Sequence, residues 1–127
     1  MIGDVALVHD SSSLVNIVDH AVDLHIVLID NRGGGIFSFL PQAEALETDQ
    51  FEKLFGTPHS TDFAALCKAH GIEYHEVDSE ERLIEVSLRD GVRLSHVRTD
   101  RAQNVEIHRQ LNDAVVSALE AAFSTGG

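Results

Sequence analysis

A chain of 127 residues is long enough for one domain with its own core and too short for two ordinary ones. Hydrophobic residues make up 43% of it and charged residues 24%, the balance of a folded α/β or α+β module rather than a disordered chain. A net charge of −12 argues against nucleic acid or an anionic membrane surface as a partner. Any anionic ligand must then be held by a local device: a metal ion, backbone N–H groups or a helix end.

The lone cysteine, Cys67, cannot close an internal disulfide. No stretch approaches the roughly 20 apolar residues of a membrane span, and no secretion signal opens the chain. The expectation is a cytoplasmic protein without an integral membrane segment.

In chain order, Gly3-Asp4 heads a segment whose apolar residues Val5, Leu7, Val8, Leu14, Val15 and Val18 predict a helix over 5–20, with Asp4 near its N-terminus. Residues 24–30 form a short apolar block rich in β-branched side chains, the profile of a strand buried on both faces. It runs into Asn31-Arg32-Gly33-Gly34-Gly35, where missing side chains let backbone approach something closely. Residues 36–41 read as a short helical turn, and 42–60 as polar and irregular, pinned by Phe51 and Phe55. A helix follows over 62–70, stopped by Gly71, then a strand over 72–77. Ser79 caps a second helix that ends at Asp90-Gly91, and a strand covers 92–99. Ile107, Leu111, Val115, Ala118 and Ala122 mark one face of a closing helix over 104–123.

This order predicts a three-layer α/β fold, a mostly parallel sheet covered by helices. Only Met1-Ile2 precede Gly3-Asp4, too little to deliver that pair to a sheet edge, so residues 1–127 read as a single partial domain. The strand 24–30 is expected to lack a neighbour, leaving an unpaired edge and a tendency to self-associate into a homo-oligomer.

The chemistry converges on two places. Asp4 heads a helix, and Asn31 follows a buried strand 27 positions later. In a parallel α/β layer both return to the carboxyl edge of the sheet, where such folds bind ligands. A carboxylate, an amide oxygen and a glycine-loop carbonyl are hard ligands suited to Mg2+, with phosphate oxygens and water completing the octahedron. Free N–H groups of the helix starting at Val5 would serve the same phosphate. From the residues alone, a helix cap and an ordinary strand-to-helix turn remain open as the alternative. Eight histidines show no metal-ligand spacing, Ser11-Ser12-Ser13 lacks a nucleophile elbow, and the glycines match neither a Walker loop nor a dinucleotide fingerprint.

Gly3-Asp4 followed by Asn31 resembles the fingerprint of thiamine-diphosphate enzymes. The run Asp30-Asn31-Arg32-Gly33-Gly34-Gly35-Ile36-Phe37-Ser38-Phe39-Leu40-Pro41-Gln42 is similar to the 2-succinyl-5-enolpyruvyl-6-hydroxy-3-cyclohexene-1-carboxylate synthase family of menaquinone biosynthesis. Phe51-Glu52-Lys53-Leu54-Phe55-Gly56-Thr57-Pro58, Asp62-Phe63-Ala64-Ala65 and Gly71-Ile72-Glu73-Tyr74-His75 follow in that family's order.

The resemblance implies the carboxyl-terminal portion of a diphosphate- and Mg-binding domain. Asp4, Asn31 and the Gly33 carbonyl would ligate Mg2+ (or Mn2+), and Gly3, Asp4, Val5, Asn31, Gly33 and Gly34 would bind thiamine diphosphate. Ile36, Phe37 and Leu40 would line the substrate pocket, with core packing as the plainer account of Leu40. The implied reaction is a transferase reaction: decarboxylation of 2-oxoglutarate and addition of the succinyl-semialdehyde unit to isochorismate. No catalytic residue is expected within these 127 residues, because the family's activating glutamate sits on an amino-terminal domain; the chain alone is expected to be inactive. Asp30 departs from the family, where Asn is common. Another thiamine-diphosphate enzyme, of the acetolactate-synthase or 2-oxo acid decarboxylase kind, or a non-catalytic α/β binding module are the alternatives.

Overall fold

The computed structural model describes residues 1–20 and 22–124. The chain opens with a two-residue strand, β1 (Ile2–Gly3), and turns directly into α1 (Asp4–His9). The helix expected to reach residue 20 breaks at Asp10, and a 3-10 segment covers Ser11–Asn16. Asp10 and the serines account for the break, because their side chains offer the backbone local alternatives to helical bonds: Ser13 donates through Oγ to the Asp10 carbonyl at 2.7 Å.

Strand β2 (Leu24–Asp30) follows, then a 3-10 turn at Gly35–Phe39. The stretch expected to be irregular contains α2 (Gln42–Ala45), α3 (Thr48–Phe51) and a π-helical turn at Glu52–Gly56. Phe51 and Phe55 stack there at 5.7 Å, and Phe37 packs on Phe55 at the same distance. Beyond lie α4 (Phe63–Ala69), β3 (Glu73–Val77), α5 (Glu80–Ser87), β4 (Val92–Arg98) and α6 (Arg101–Ser124). Asp62 and Ser79 cap α4 and α5 by accepting the N–H groups of Ala65 and Arg82.

All four strands are parallel, in the order β1-β2-β4-β3. Successive side chains alternate between the two faces. Ile26, Leu28, Val92, Leu94 and Tyr74 therefore share one face, which packs with Leu7, Leu14, Phe63, Cys67 and Ile72 into the core. Burial there pushes the Cys67 thiol up to about 11, so it remains an unreactive apolar filler. On the opposite face Arg93 reaches α5. Its guanidinium donates to the carbonyls of Val86, Ser87 and Gly91 and to the Asp23 carboxylate, so each of its three nitrogens has a partner.

Two expectations need correction. The closing helix forms, but it does not lie on the sheet. Its packing is against the Gly35–Phe39 turn, where Phe39 meets His108 edge-on at 5.1 Å, and Leu111 on its apolar stripe is 58% exposed. A 3.6-residue period specifies a face, not the surface that covers it. Strand β2 is also not without a second neighbour: β1 pairs with it at Leu28 and Ile29, leaving Leu24 to Val27 open on that side.

Strand β4 carries two more buried polar residues, both satisfied. Ser95 hydrogen-bonds His25 at 2.9 Å, and His96 bonds Asp30 at 2.8 Å. Burial, with the charge of Arg93 and His75, pushes His25 below its ordinary value of 6.5. For Asp30, burial alone would raise the carboxyl. Hydrogen bonds from the Arg32 N–H and from His96 outweigh it and hold Asp30 below the ordinary carboxylate value.

Both shifts predict acid lability. The unfolded chain protonates His25 at 6.5 and the folded chain only at lower pH, so stability present above 6.5 declines as pH falls beneath it. The Asp30 contribution is full above the ordinary carboxylate value and is lost as pH falls through the lowered one. Thermal melts over a pH series check this: His25→Gln should flatten the decline below about pH 6.5 and leave the one below about pH 4 intact. Parallel curves for the two proteins would contradict it.

Candidate functional site at the carboxyl edge of the sheet

The site follows from strand register. Gly3 pairs with Ile29, so the next residues, Asp4 and Asp30, leave the sheet side by side, and Asn31 begins the glycine loop beside them. Asp4 is only 2% exposed and Asp30 7%. A carboxylate taken out of water needs donors, and Asp4 has them. Its Oδ1 accepts the Val5 N–H at 2.7 Å and its Oδ2 the Gly33 N–H at 2.8 Å.

A third group comes from far along the chain. His59 Nε2 lies 3.2 Å from Asp4 Oδ2, close enough to pair but not aligned as a hydrogen bond. The Thr61 N–H donates to His59 Nδ1, so the neutral ring carries its proton on Nε2, facing Asp4. Asp4, Asp30 and His59 each bring one polar atom within 4.8 Å of the others.

The glycines are needed here for a stated reason. Gly33 has φ +144°, and a Cβ on it would overlap the Gly56 carbonyl, on which this loop is laid by the Gly34 N–H to Gly56 O bond of 2.7 Å. A Cβ on Gly35 would overlap the Asn31 side-chain amide. The Asn31 amide is thus tucked over bare backbone, with its Oδ1 buried and accepting no hydrogen bond among the described residues. An orphaned buried acceptor is costly unless something outside the chain satisfies it.

Gly3, Asp4, Val5, Asn31, Gly33, Gly34, Ile36 and Phe37 line one cavity of about 720 Å3. Ile36 stands at its mouth, 73% exposed. Leu40 does not join them: it lines a separate cavity between the Gly35–Phe39 turn and α6, with Phe39, Val105 and His108. Of the N–H groups expected to be free at the start of α1, that of Val5 is taken, and those of the glycine loop are taken as well. Val5 and Gly33 spend theirs on Asp4, Gly34 on Gly56 and Gly35 on the Gly33 carbonyl.

What the site offers is therefore acceptors. The Asp4 carboxylate, the Asn31 Oδ1 and the second lone pair of the Gly33 carbonyl are oxygens of the kind a hard divalent cation takes, and the donor set fits such an ion. Sequence reading missed His59 and assigned no site role to Asp30. His59 lies 55 positions from Asp4, and no spacing rule links the two. A second cavity of about 570 Å3 opens on the other side of this cluster, lined in part by Asp30, His59, Asp62, Tyr74, His96 and Arg98.

Residues 1–97 match the family described as "Thiamine pyrophosphate enzyme, C-terminal TPP binding domain". Proteins named 2-succinyl-5-enolpyruvyl-6-hydroxy-3-cyclohexene-1-carboxylate synthase are similar along nearly the whole chain. The one from Chloroflexus aurantiacus is 47% identical across 98% of this chain and 21% of its own length. Those from Saccharopolyspora erythraea and Myxococcus xanthus are 40% and 39% identical, across 94% and 92% of this chain and 22% and 20% of their lengths. The chain thus spans about a fifth of the curated relatives it matches. Its parallel sheet, its cavity at the carboxyl edge and this match agree, and the chain belongs to the family of C-terminal thiamine-pyrophosphate-binding domains of thiamine pyrophosphate enzymes.

Proposed function

We propose that this chain is the metal- and diphosphate-anchoring wall of a thiamine-diphosphate-dependent transferase. Asp4, Asn31 and the Gly33 carbonyl ligate Mg2+ or Mn2+, and the cation holds the diphosphate. The observation that carries the reading is the buried Asn31 Oδ1, which takes no hydrogen bond among the described residues, beside a carboxylate that is already supplied with donors. The charge of −12 supports it further, since a cation is the bridge by which such a chain retains a diphosphate.

Each residue has a task in this reading. Asp4 is pre-oriented by three neighbours and loses little freedom when it ligates. Asn31 gains the partner it lacks. Gly33 contributes its carbonyl while its N–H steadies Asp4. Gly3, Val5 and Gly34 shape the floor of the cavity, and Ile36 and Phe37 form its apolar lip, where a carbon skeleton is kept from water. Leu40 enters the substrate pocket only if the Gly35–Phe39 turn shifts, because in this arrangement it faces a different cavity.

When bound, thiamine diphosphate supplies the electron sink for cleaving and forming carbon–carbon bonds. The reaction that the family resemblance implies, for which the synthase name of the relatives is support, is the decarboxylation of 2-oxoglutarate and the addition of the succinyl-semialdehyde unit to isochorismate, in menaquinone biosynthesis. A cytoplasmic site of action belongs to this reading, and no described helix is long and apolar enough to cross a membrane.

Calorimetric titration tests the anchoring role. Thiamine diphosphate should bind in the presence of Mg2+ and not in its absence. Asp4→Ala and Asn31→Ala should each weaken it by about tenfold or more, and Gly33→Ala comparably, because the loop cannot keep its course around a Cβ. Equal binding with and without Mg2+ would defeat the cation assignment.

Two expectations concern the chain by itself. Spanning a fifth of its relatives, it should show no synthase turnover with 2-oxoglutarate, isochorismate, Mg2+ and thiamine diphosphate, and measurable product formation would refute this. The open stretch of β2 and the exposed stripe of α6 should make it self-associate, so a monodisperse monomer in light scattering at micromolar concentration would count against the homo-oligomer.

A further inference from the structure

The loop that carries Asn31 and Gly33 takes two consecutive left-handed residues, Arg32 at φ +61° and Gly33 at φ +144°. For arginine this conformation is unfavourable, and a neighbour must hold it. The neighbour is Asp30. Its Oδ1 accepts the Arg32 N–H at 2.9 Å, closing the turn, while the Thr99 N–H fixes its backbone carbonyl at 2.8 Å.

The orientation of the Asp30 carboxylate is set in turn from behind. Its Oδ2 bonds His96 Nε2 at 2.8 Å. A carboxylate only accepts, so His96 carries a proton on Nε2, and in the neutral ring Nδ1 is left as an acceptor. Tyr74 O–H fills it at 2.8 Å. The ring is also clamped edge-on by Phe63 at 5.3 Å and by Tyr74 at 5.8 Å. Burial, first among several influences, raises the Tyr74 phenol, so the hydroxyl keeps its proton. The bonds thus run from Tyr74 on β3, through His96 on β4, to Asp30 at the end of β2 and on to the Arg32 N–H. Asp30 directly precedes Asn31, and Arg32 lies between Asn31 and Gly33.

We propose that Tyr74, His96 and Asp30 are a positioning relay for the metal-ligand loop, fixing the backbone of residues 31–33 and thereby setting how tightly the cation is held. The inference rests on the reading of Asp4, Asn31 and Gly33 given above. The relay has a second effect. Asp30 touches Asp4 and stands within reach of the same position. Tied to His96, it is withheld from the cation, and Asn31 remains the ligand. None of the three is a catalytic residue; they act through the loop.

The experiment measures Mn2+ binding in the presence of thiamine diphosphate by electron paramagnetic resonance, alongside thermal melts without metal. Tyr74→Phe, which removes a single oxygen, should weaken Mn2+ binding roughly threefold. His96→Leu should weaken it about tenfold or more, and His96→Gln, which returns an amide N–H near the position of Nε2, should recover part of the loss. Ser95→Ala is the control. It deletes the 2.9 Å bond to His25 between the same two strands at a distance from the loop, and should lower the melting temperature without changing Mn2+ affinity.

Unchanged affinity in Tyr74→Phe and His96→Leu, with the unaltered chain binding Mn2+, would overturn the relay and leave the cation site standing. An equal loss in Ser95→Ala would overturn it too, by exposing a general effect of sheet stability. No Mn2+ binding by the unaltered chain would remove the cation reading and this inference together. Should His96→Leu fail to fold, Tyr74→Phe carries the comparison.

Discussion

Asp4 has almost no access to water, and a carboxylate in that position exists only if the chain supplies its donors. It takes them from the Val5 N–H at the start of its own helix and from the N–H of Gly33, and the ring of His59 lies 3.2 Å away without forming a hydrogen bond. Each contribution places a demand on the rest of the molecule. Gly33 can face Asp4 only because its backbone takes a conformation that excludes a side chain, and only because the loop lies on Gly56. His59 arrives because the turn after Gly56 leads into α4, whose Phe63 packs against the imidazole edge-on at 5.7 Å. One buried carboxylate thus joins β1, the glycine loop and the 56–63 connection.

The same bonds decide what kind of ligand this edge accepts. A glycine loop at the end of a strand commonly holds phosphate through its free N–H groups. Here those groups are already committed within the chain, and the unmet need is an acceptor's, at Asn31 Oδ1. With two contacting carboxylates beside it and a net charge of −12 around it, the local potential favours a cation over a bare anion.

Strands β2, β3 and β4, and the placing of Asp4 and Asn31 at one sheet edge, were legible in the sequence because their signals are local, whereas the two residues of β1 are too few to carry one. Residues 24–30 are an apolar β-branched run ended by glycines, and Asp4 and Asn31 each sit where such an element begins or ends. The break of the first helix at Asp10 was obscured by apolar residues that continue past it through Leu14 and Val18. The position of α6 was not legible, since its periodic stripe is indifferent to what it meets. His59 and the Tyr74–His96–Asp30 chain were hidden for a deeper reason. His59 comes from a connection that no spacing rule links to Asp4, and the Tyr74–His96–Asp30 chain exists only through the registers that align Tyr74 with Leu94 and Leu28 with His96, a property of pairs of segments written in neither one.

Strand β4 shows how buried polarity is divided between stability and function. At its beginning Arg93 gathers the end of α5 and the turn before the strand, away from the carboxyl edge. Replacing such groups by apolar ones of similar shape is often tolerated, so their presence identifies no site. At the other end His96 sits in the same kind of buried environment, yet its bond ends on the carboxylate that holds the loop of Asn31 and Gly33. The chemistry of the two ends is alike and the geometry is not. Where His96 differs is in its place toward the carboxyl edge, since its partner Asp30 also accepts the Arg32 N–H of the glycine loop.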